Sequence, residues 1–247
     1  MSLVAGRLSV QAGAHHMEIH QGGNGTRLGG VPGVAPGKVL VLGGGVVGSS
    51  AIRVALGMGA DVTVLDRSVS RLGELDEQYR GQLRTVYSTA EALEEHVREA
   101  DLIIGAVLIP GASAPKLITA EMLADVKPGT VMVDVAIDQG GCFETSRATT
   151  HADPTYVVDG VVHYCVANMP GAVARTATMA LTNATLPYVT RLASDDVGSL
   201  LLEDRQFAAG LNIVHGQLTH QAVADALGQT WTEPDQILRA SLHLKSA

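Results

Sequence analysis

KVLVLGGGVVGSSAIRVALGMGADVTVLDRS, residues 38–68, is the stretch on which the fold turns. It opens on a short apolar run, Val39 to Leu42, which reads as a strand buried on both faces. Gly43, Gly45 and Gly48 follow in the order G-x-G-x-x-G. A helix is expected from Val46 to Met58, then a glycine turn, then a second strand, DVTVLD, ending at Asp66. In a chain with 28 glycines the spacing alone is weak evidence, and its place between strand and helix gives it meaning. The first glycine permits a tight turn, the second lets a pyrophosphate approach the backbone, and the third lets helix and strand pack closely. The helix start offers free N–H groups and the positive end of its dipole to phosphates. Asp66 stands 18 residues after Gly48, where an acid accepts hydrogen bonds from an adenosine ribose and repels a 2′-phosphate. The pattern points to NAD rather than NADP, with Arg67 opposing that discrimination in part. The plainer alternative is a tight turn followed by an Asp66 that caps the next helix. Strand, turn, helix and acid in one register favour the nucleotide.

Outward from this unit, strands and helices keep alternating. LRTVYS (83–88) reads as a third strand and AEALEEHVREA (90–100) as an amphipathic helix. DLIIGAVLI (101–109) reads as a fourth strand, TAEMLADVKPG (119–129) as a helix stopped by Pro128 and Gly129, and TVMVDVAID (130–138) as a fifth strand. TYVVDGVVHYCVAN (155–168) reads as one or two more strands split at Asp159-Gly160. Upstream, 2–19 reads as a helix with Leu3, Val10, Ala14 and Met17 on one face, and 20–38, rich in glycine, as loop. Alternation of this kind builds an α/β fold with a doubly wound, mostly parallel sheet, the Rossmann arrangement, over 1–168. From 169 the pattern is expected to be helical only, with short helices and polar turns from 195 onward, and 169–247 to belong to a second domain, with Pro170 at a helix start and Pro187 bending the helix.

Composition agrees with that class. Apolar residues are 46% and charged residues 17% of the 247, enough for a sizeable core, while aromatics are only 3%. The core must therefore be aliphatic, as parallel sheets are. A net charge of −8 argues against nucleic acid and against an anionic membrane surface as partners. No run approaches the ~20 apolar residues of a membrane span, and the start lacks the apolar region of a signal peptide. Two cysteines, Cys142 and Cys165, fit a reducing, cytoplasmic setting better than a disulfide scaffold.

Ligands of such folds bind beyond the carboxyl ends of the strands. That places Asp66, Arg67, Ser88, Val107, Leu108, Asp138 and the run Val166, Ala167, Asn168, Met169 at the candidate site. Asp138 is the acid expected past the fourth strand, facing the nicotinamide half of the cofactor, with Gly140 and Gly141 leaving room beside it. An ordinary helix N-cap is an equally available use of an Asp in that place, and spacing leaves both open. A metal site through His151, Asp153 and His163 matches no familiar spacing and is set aside, as is the His15-His16 pair. Cys142 has no base nearby and reads as a small buried hydrophobe.

Five stretches carry a resemblance. LGGVPGVAPGKVLVLGGGVVG (28–48), DLIIGAVLIPGASAPKLIT (101–119), VDVAIDQGGCFETSR (133–147) and YCVANMPGAV (164–173), with ALTNATLPY (180–188), together resemble alanine dehydrogenase. The NAD-binding component of proton-translocating transhydrogenase shares the fold but usually lacks the Asp-Gln-Gly-Gly form found at 138–141. The resemblance implies NAD-dependent, reversible oxidative deamination of L-alanine to pyruvate and ammonium by a cytoplasmic homohexamer. It implies cofactor contacts from Ser2, Val46, Val47, Asp66, Arg71, Ser88, Val107, Leu108, Val135, Ala136, Ile137, Arg147 and Val166 to Met169, beside Gly43, Gly45 and Gly48. It implies a catalytic role for Asp138, organising the water that attacks the imine intermediate or orienting a histidine that does so. Alanine dehydrogenases carry a long N-terminal stretch ahead of the helix that opens this chain, and the lysine, arginine and histidine that handle pyruvate lie there. Residues 169–247 resemble the returning part of that substrate domain. A module that binds NAD without turnover is the alternative, in another functional class.

Overall fold

The computed structural model describes residues 1–107, 114–194 and 196–245, with side chains described through residue 239. The chain divides into two compact units, Met1–Thr178 and Met179–Ala247.

In the first unit α1 (Ser2–His16) precedes β1 (Lys38–Leu42), α2 (Val46–Gly57), β2 (Asp61–Asp66), α3 (Val69–Tyr79) and β3 (Leu83–Tyr87). Then come α4 (Ala90–Glu99), β4 (Leu102–Gly105), β5 (Val131–Asp134), β6 (Thr155–Val158) and β7 (Val161–Tyr164). The sheet runs β3-β2-β1-β4-β5-β7-β6. Every neighbouring pair is parallel except the β6–β7 hairpin at the edge. Val39 pairs with Val62 on one side and with Leu102 on the other, so β1 is central. The chain builds outward from β1 to β3, then crosses back to β4, which makes the β1–β4 boundary the switch point where such sheets bind ligands.

Successive strand residues feed opposite layers. Val39, Val41, Val62, Val64, Leu102 and Ile104 pack with Leu8, Val10 and Ile52 of α1 and α2. Leu40, Leu42, Leu65, Ile103 and Met132 pack with Leu93, Val97, Ile118 and Phe143 on the other face. Both faces are covered, and that is why the strands read as unbroken apolar runs. α1 lies close on α2 because it carries Gly6, where an added Cβ would overlap the Val47 carbonyl oxygen.

Several elements depart from the expectations. α1 ends at His16 rather than at residue 19, and Leu3 is 55% exposed while Val10 is fully buried. The helix expected over 119–129 is only a short 3₁₀ helix, Glu121–Asp125, and Val126, two residues ahead of Pro128, is already extended. β5 stops at Asp134, four residues early, because the Asp134 carboxylate turns back to accept the Ala136 N–H at 3.1 Å. Asp159 and Gly160, at φ 49° and 80°, form the turn that splits β6 from β7.

The second unit holds the greater part of α5 (Ala174–Ser194), then α6 (Val197–Glu203), α7 (Arg205–Ala208), β8 (Ile213–Val214), β9 (Gln217–Leu218), α8 (Gln221–Leu227) and α9 (Pro234–Lys245). Pro187 lies inside α5, which runs through it. The tail is not helical throughout. β8 and β9 pair antiparallel about His215-Gly216, both at positive φ, a two-residue turn that VHGQ encodes through its glycine.

Candidate functional site

The carboxyl ends of β1, β2 and β4 open a cleft of about 350 Å³ that brings together Gly43, Gly45, Asp66, Ser88 and Val107, with Arg67 beside Asp66. Gly43 turns the chain at φ 96° and donates its N–H to the Leu65 carbonyl at 2.8 Å. Among the described residues nothing lies within 4 Å of where a Gly45 Cβ would stand, so the loop is bare of them on that side. At Gly48 a Cβ would overlap the Gly43 carbonyl oxygen, so this glycine is needed for helix and turn to touch. α2 begins at Val46, 59% exposed, and its first-turn N–H groups have no intrahelical acceptor.

Asp66 is tied into the turn. Its Oδ2 accepts the Gly44 N–H at 2.7 Å and its Oδ1 the Ser68 N–H at 2.8 Å. It is not the N-cap of α3: Ser68 is, its Oγ accepting the Arg71 N–H at 3.2 Å. A carboxylate offers about four lone-pair sites, and the described residues use two of them. Arg71 reaches the same turn, donating from Nε to the Gly44 carbonyl at 2.7 Å and from its guanidinium to Ser49 Oγ at 2.6 Å and to Glu74 at 2.5 Å.

The other named residues lie around this cleft or away from it. Ser2 is the exposed first residue of α1, one turn from the Gly6 that abuts Val47. Val135, Ala136 and Ile137 form the turn after β5, with the Val135 N–H donating to Gly105 at 3.0 Å. Val166 is buried, Ala167 and Asn168 are exposed with Asn168 at φ 54°, and Met169 is buried; all follow β7 at the same end of the sheet. Arg147 stacks its guanidinium 3.9 Å from the centre of the Tyr156 ring and donates its backbone N–H to the Tyr156 hydroxyl at 2.8 Å. Leu108 lies outside the described residues.

Asp138 is exposed and sits in a 3₁₀ turn, Ile137–Gln139, past the end of β5, rather than on the strand itself. The turn is entered from Ala136 with no side-chain cap, so Asp138 is not an N-cap. Among the described residues its carboxylate has no hydrogen-bond or ion-pair partner. The acid at the strand end is Asp134, which the sequence reading passed over inside an apolar run. It is fully buried. Burial pushes its carboxyl pKa up, against hydrogen bonds from Ser146, Cys142, Phe143 and Ala136 that hold it down. Gly141, at φ 81°, gives room to Asp134 rather than to Asp138: a Cβ there would stand 2.5 Å from Asp134 Oδ2 and 2.8 Å from Ser146 Cβ.

His163 is buried, its Nε2 2.8 Å from Thr145 Oγ1 and its Nδ1 3.0 Å from the Val161 carbonyl, and burial holds its pKa down. The Cys142 thiol is pushed up to about 12 by burial and by the nearby Asp134 charge, which makes it inert. Among the described residues no group of three His, Cys, Asp or Glu could hold a metal ion.

Against known proteins, the family profile described as alanine dehydrogenase/PNT, C-terminal domain, matches residues 9–221. An alanine dehydrogenase of Halomonas elongata is 66% identical over 238 residues, which are 96% of this chain and 64% of that protein. The solved structure of an L-alanine dehydrogenase matches with a TM-score of 0.89 at 52% identity, over 92% of this chain and 63% of that one. A transhydrogenase structure from Sinorhizobium meliloti matches with a TM-score of 0.71 at 26% identity, over 90% of this chain and 60% of that one. The chain spans just under two thirds of the length of these relatives.

Proposed function

Because the chain belongs to the alanine dehydrogenase/PNT C-terminal-domain family, we propose that it is the NAD-binding part of an alanine dehydrogenase. The reaction is L-alanine, NAD⁺ and water going to pyruvate, ammonium, NADH and a proton. The observation that carries this reading is the cleft at the β1–β4 switch point, with a bare glycine turn on one side and Asp66 on the other. The residues present fit the dinucleotide. Gly45 leaves a phosphate free approach, the first N–H groups of α2 would bind it, and the lone pairs of Asp66 that the described residues do not use would accept from a ribose. A dinucleotide held there would supply the acceptor for a hydride from the substrate Cα.

Asp138 has no structural partner among the described residues, and in this reading its charge serves the reacting centre, fixing the water that attacks the imine carbon or a histidine that activates that water. The resemblance puts the lysine and arginine that hold pyruvate, and the histidine that acts as acid/base, outside the stretch that matches. The substrate pair L-alanine and pyruvate, a homohexameric assembly and a cytoplasmic setting go with this reading; among the described residues no helix is long and apolar enough to cross a membrane. A transhydrogenase component is the second reading, and the lower identity of that relative, 26% against 52%, makes it the weaker one.

The test is calorimetric titration of the purified chain with NAD⁺ and NADP⁺, beside NADH formation from L-alanine. NAD⁺ binding that exceeds NADP⁺ binding is expected. No NAD⁺ binding, or equal binding of both, sinks the cofactor reading. Turnover by the chain alone, abolished in Asp138→Ala, would mean that the reaction does not need the pyruvate-holding residues expected elsewhere.

A further inference from the structure

The buried Asp134 has more partners than a turn requires, and their placement is informative. Its Oδ1 accepts the Ala136 N–H at 3.1 Å, on the limb leaving β5. Its Oδ2 accepts from the returning limb: the Cys142 N–H at 2.8 Å, the Phe143 N–H at 3.3 Å and the Ser146 hydroxyl at 2.5 Å. Between those limbs lies the turn that carries Asp138. We propose that Asp134 is the positioning residue for Asp138, a single carboxylate that closes 135–146 into a ring and so sets where the exposed carboxylate stands. This rests on the reading above, in which Asp138 serves the nicotinamide end of the cleft.

The chemistry of the clasp argues for this role. Among the described residues Asp134 has no cationic partner, so its charge is met by N–H and O–H donors alone. Burying such a charge is costly, and a turn held for stability alone would be served by a neutral side chain. Asparagine has the same shape but a single acceptor oxygen, so it can bind one limb and must present an N–H₂ to the other. Only a carboxylate accepts from both limbs at once. The ring has outside anchors as well. Lys116 Nζ donates to the Gly140 carbonyl at 2.5 Å and to the Phe143 carbonyl at 3.1 Å, and the Leu117 N–H donates to Cys142 at 2.7 Å. These fix the ring against its neighbour, whereas Asp134 fixes its two limbs against each other. Gly141 is the matching adaptation, since any side chain there would displace the carboxylate.

The experiment is a double-mutant cycle on the full chain with NADH as probe, read by calorimetric affinity and by nicotinamide emission. It uses wild type, Asp134→Asn, Asp138→Asn and the double variant. The expected result is that Asp134→Asn keeps the NADH dissociation constant within about twofold, because the adenosine end at Asp66 is distant from the change. It shifts the nicotinamide emission, and the shift vanishes in the Asp138→Asn background. An emission unchanged by Asp134→Asn, or changed equally in both backgrounds, overturns the proposal and leaves Asp134 a structural residue. Should Asp134→Asn fail to fold, Ser146→Ala removes one donor only and carries the same expectation with a smaller shift. Failure of the underlying reading is recognisable separately: wild type then shows no NADH binding, or an emission indifferent to Asp138→Asn, and the proposal falls with it.

Discussion

Asp66 does two things at once. It holds the Gly44 N–H, and it lines the cleft with lone pairs that the described residues do not use. Replacing it with alanine is expected to weaken NAD binding by roughly 1–3 kcal/mol, the worth of charge-assisted hydrogen bonds to a ribose. Calorimetry on Asp66→Ala checks this, and unchanged affinity would remove the ribose assignment. Asp134 makes the opposite use of a carboxylate, since its pKa is raised by burial. A group of this kind binds protons more tightly folded than unfolded, so its stabilising contribution is largest at acid pH, below its unfolded pKa, and is lost as pH rises through its folded pKa. The stability difference between wild type and Asp134→Asn should therefore shift in favour of wild type as pH falls from neutrality into the carboxylate range. Denaturant midpoints of the two proteins at matched pH values would measure it, and a difference independent of pH would contradict the raised pKa. Of these acids, Asp66 was legible in the sequence because it ends a strand at a set distance from a glycine motif. Asp134 was not: a single acid within VMVDVAI looks like strand interior, and only the folded loop reveals its four donors.

Elements were legible where burial imposes a strong pattern. β1, β2, β3 and α2 follow from apolar runs broken by glycine, and the sheet then forms around them. Short connections carried less signal. The segment 119–129 has helical composition yet makes only a short 3₁₀ helix, because the cost of nucleating an α-helix is not recovered before Pro128. Glycines within helices separate two physical situations. Gly73, in α3, has open space around a would-be Cβ and no positive φ. Gly73→Ala is expected to raise stability by about 0.5–1 kcal/mol through the unfolded chain's lost freedom. Gly48→Ala, in α2, must push the turn away from the helix and is expected to cost about 1–3 kcal/mol, with loss of NAD binding. Thermal melts of both variants test the pair, and equal effects of the same sign would contradict the packing described.

At the scale of the whole molecule, the parallel order and the switch point were legible because alternating strands and helices admit few topologies. The hairpin in the second unit was missed, being only two residues long on each strand. Two histidines give the first unit a common pH response. His16 on α1 and His163 on β7 both have pKa values lowered from 6.5, chiefly by burial. A base with a depressed folded pKa contributes stability above its unfolded pKa and loses it as pH falls toward the folded one. Stability is therefore expected to decline on acidification below about 6.5, with the buried Asp134 working against the decline. Urea titrations across that range test this, and His163→Gln should flatten the decline in part. A stability level through that range would show that burial does not govern these two groups.

Gly44 is gripped from two elements: its N–H by the acid of β2 and its carbonyl by Arg71 of α3. The loop that would receive a pyrophosphate is thus shaped during folding rather than at the moment of binding. Its loss of freedom belongs to the folding reaction, and a dinucleotide arriving there has mainly its own motion to give up.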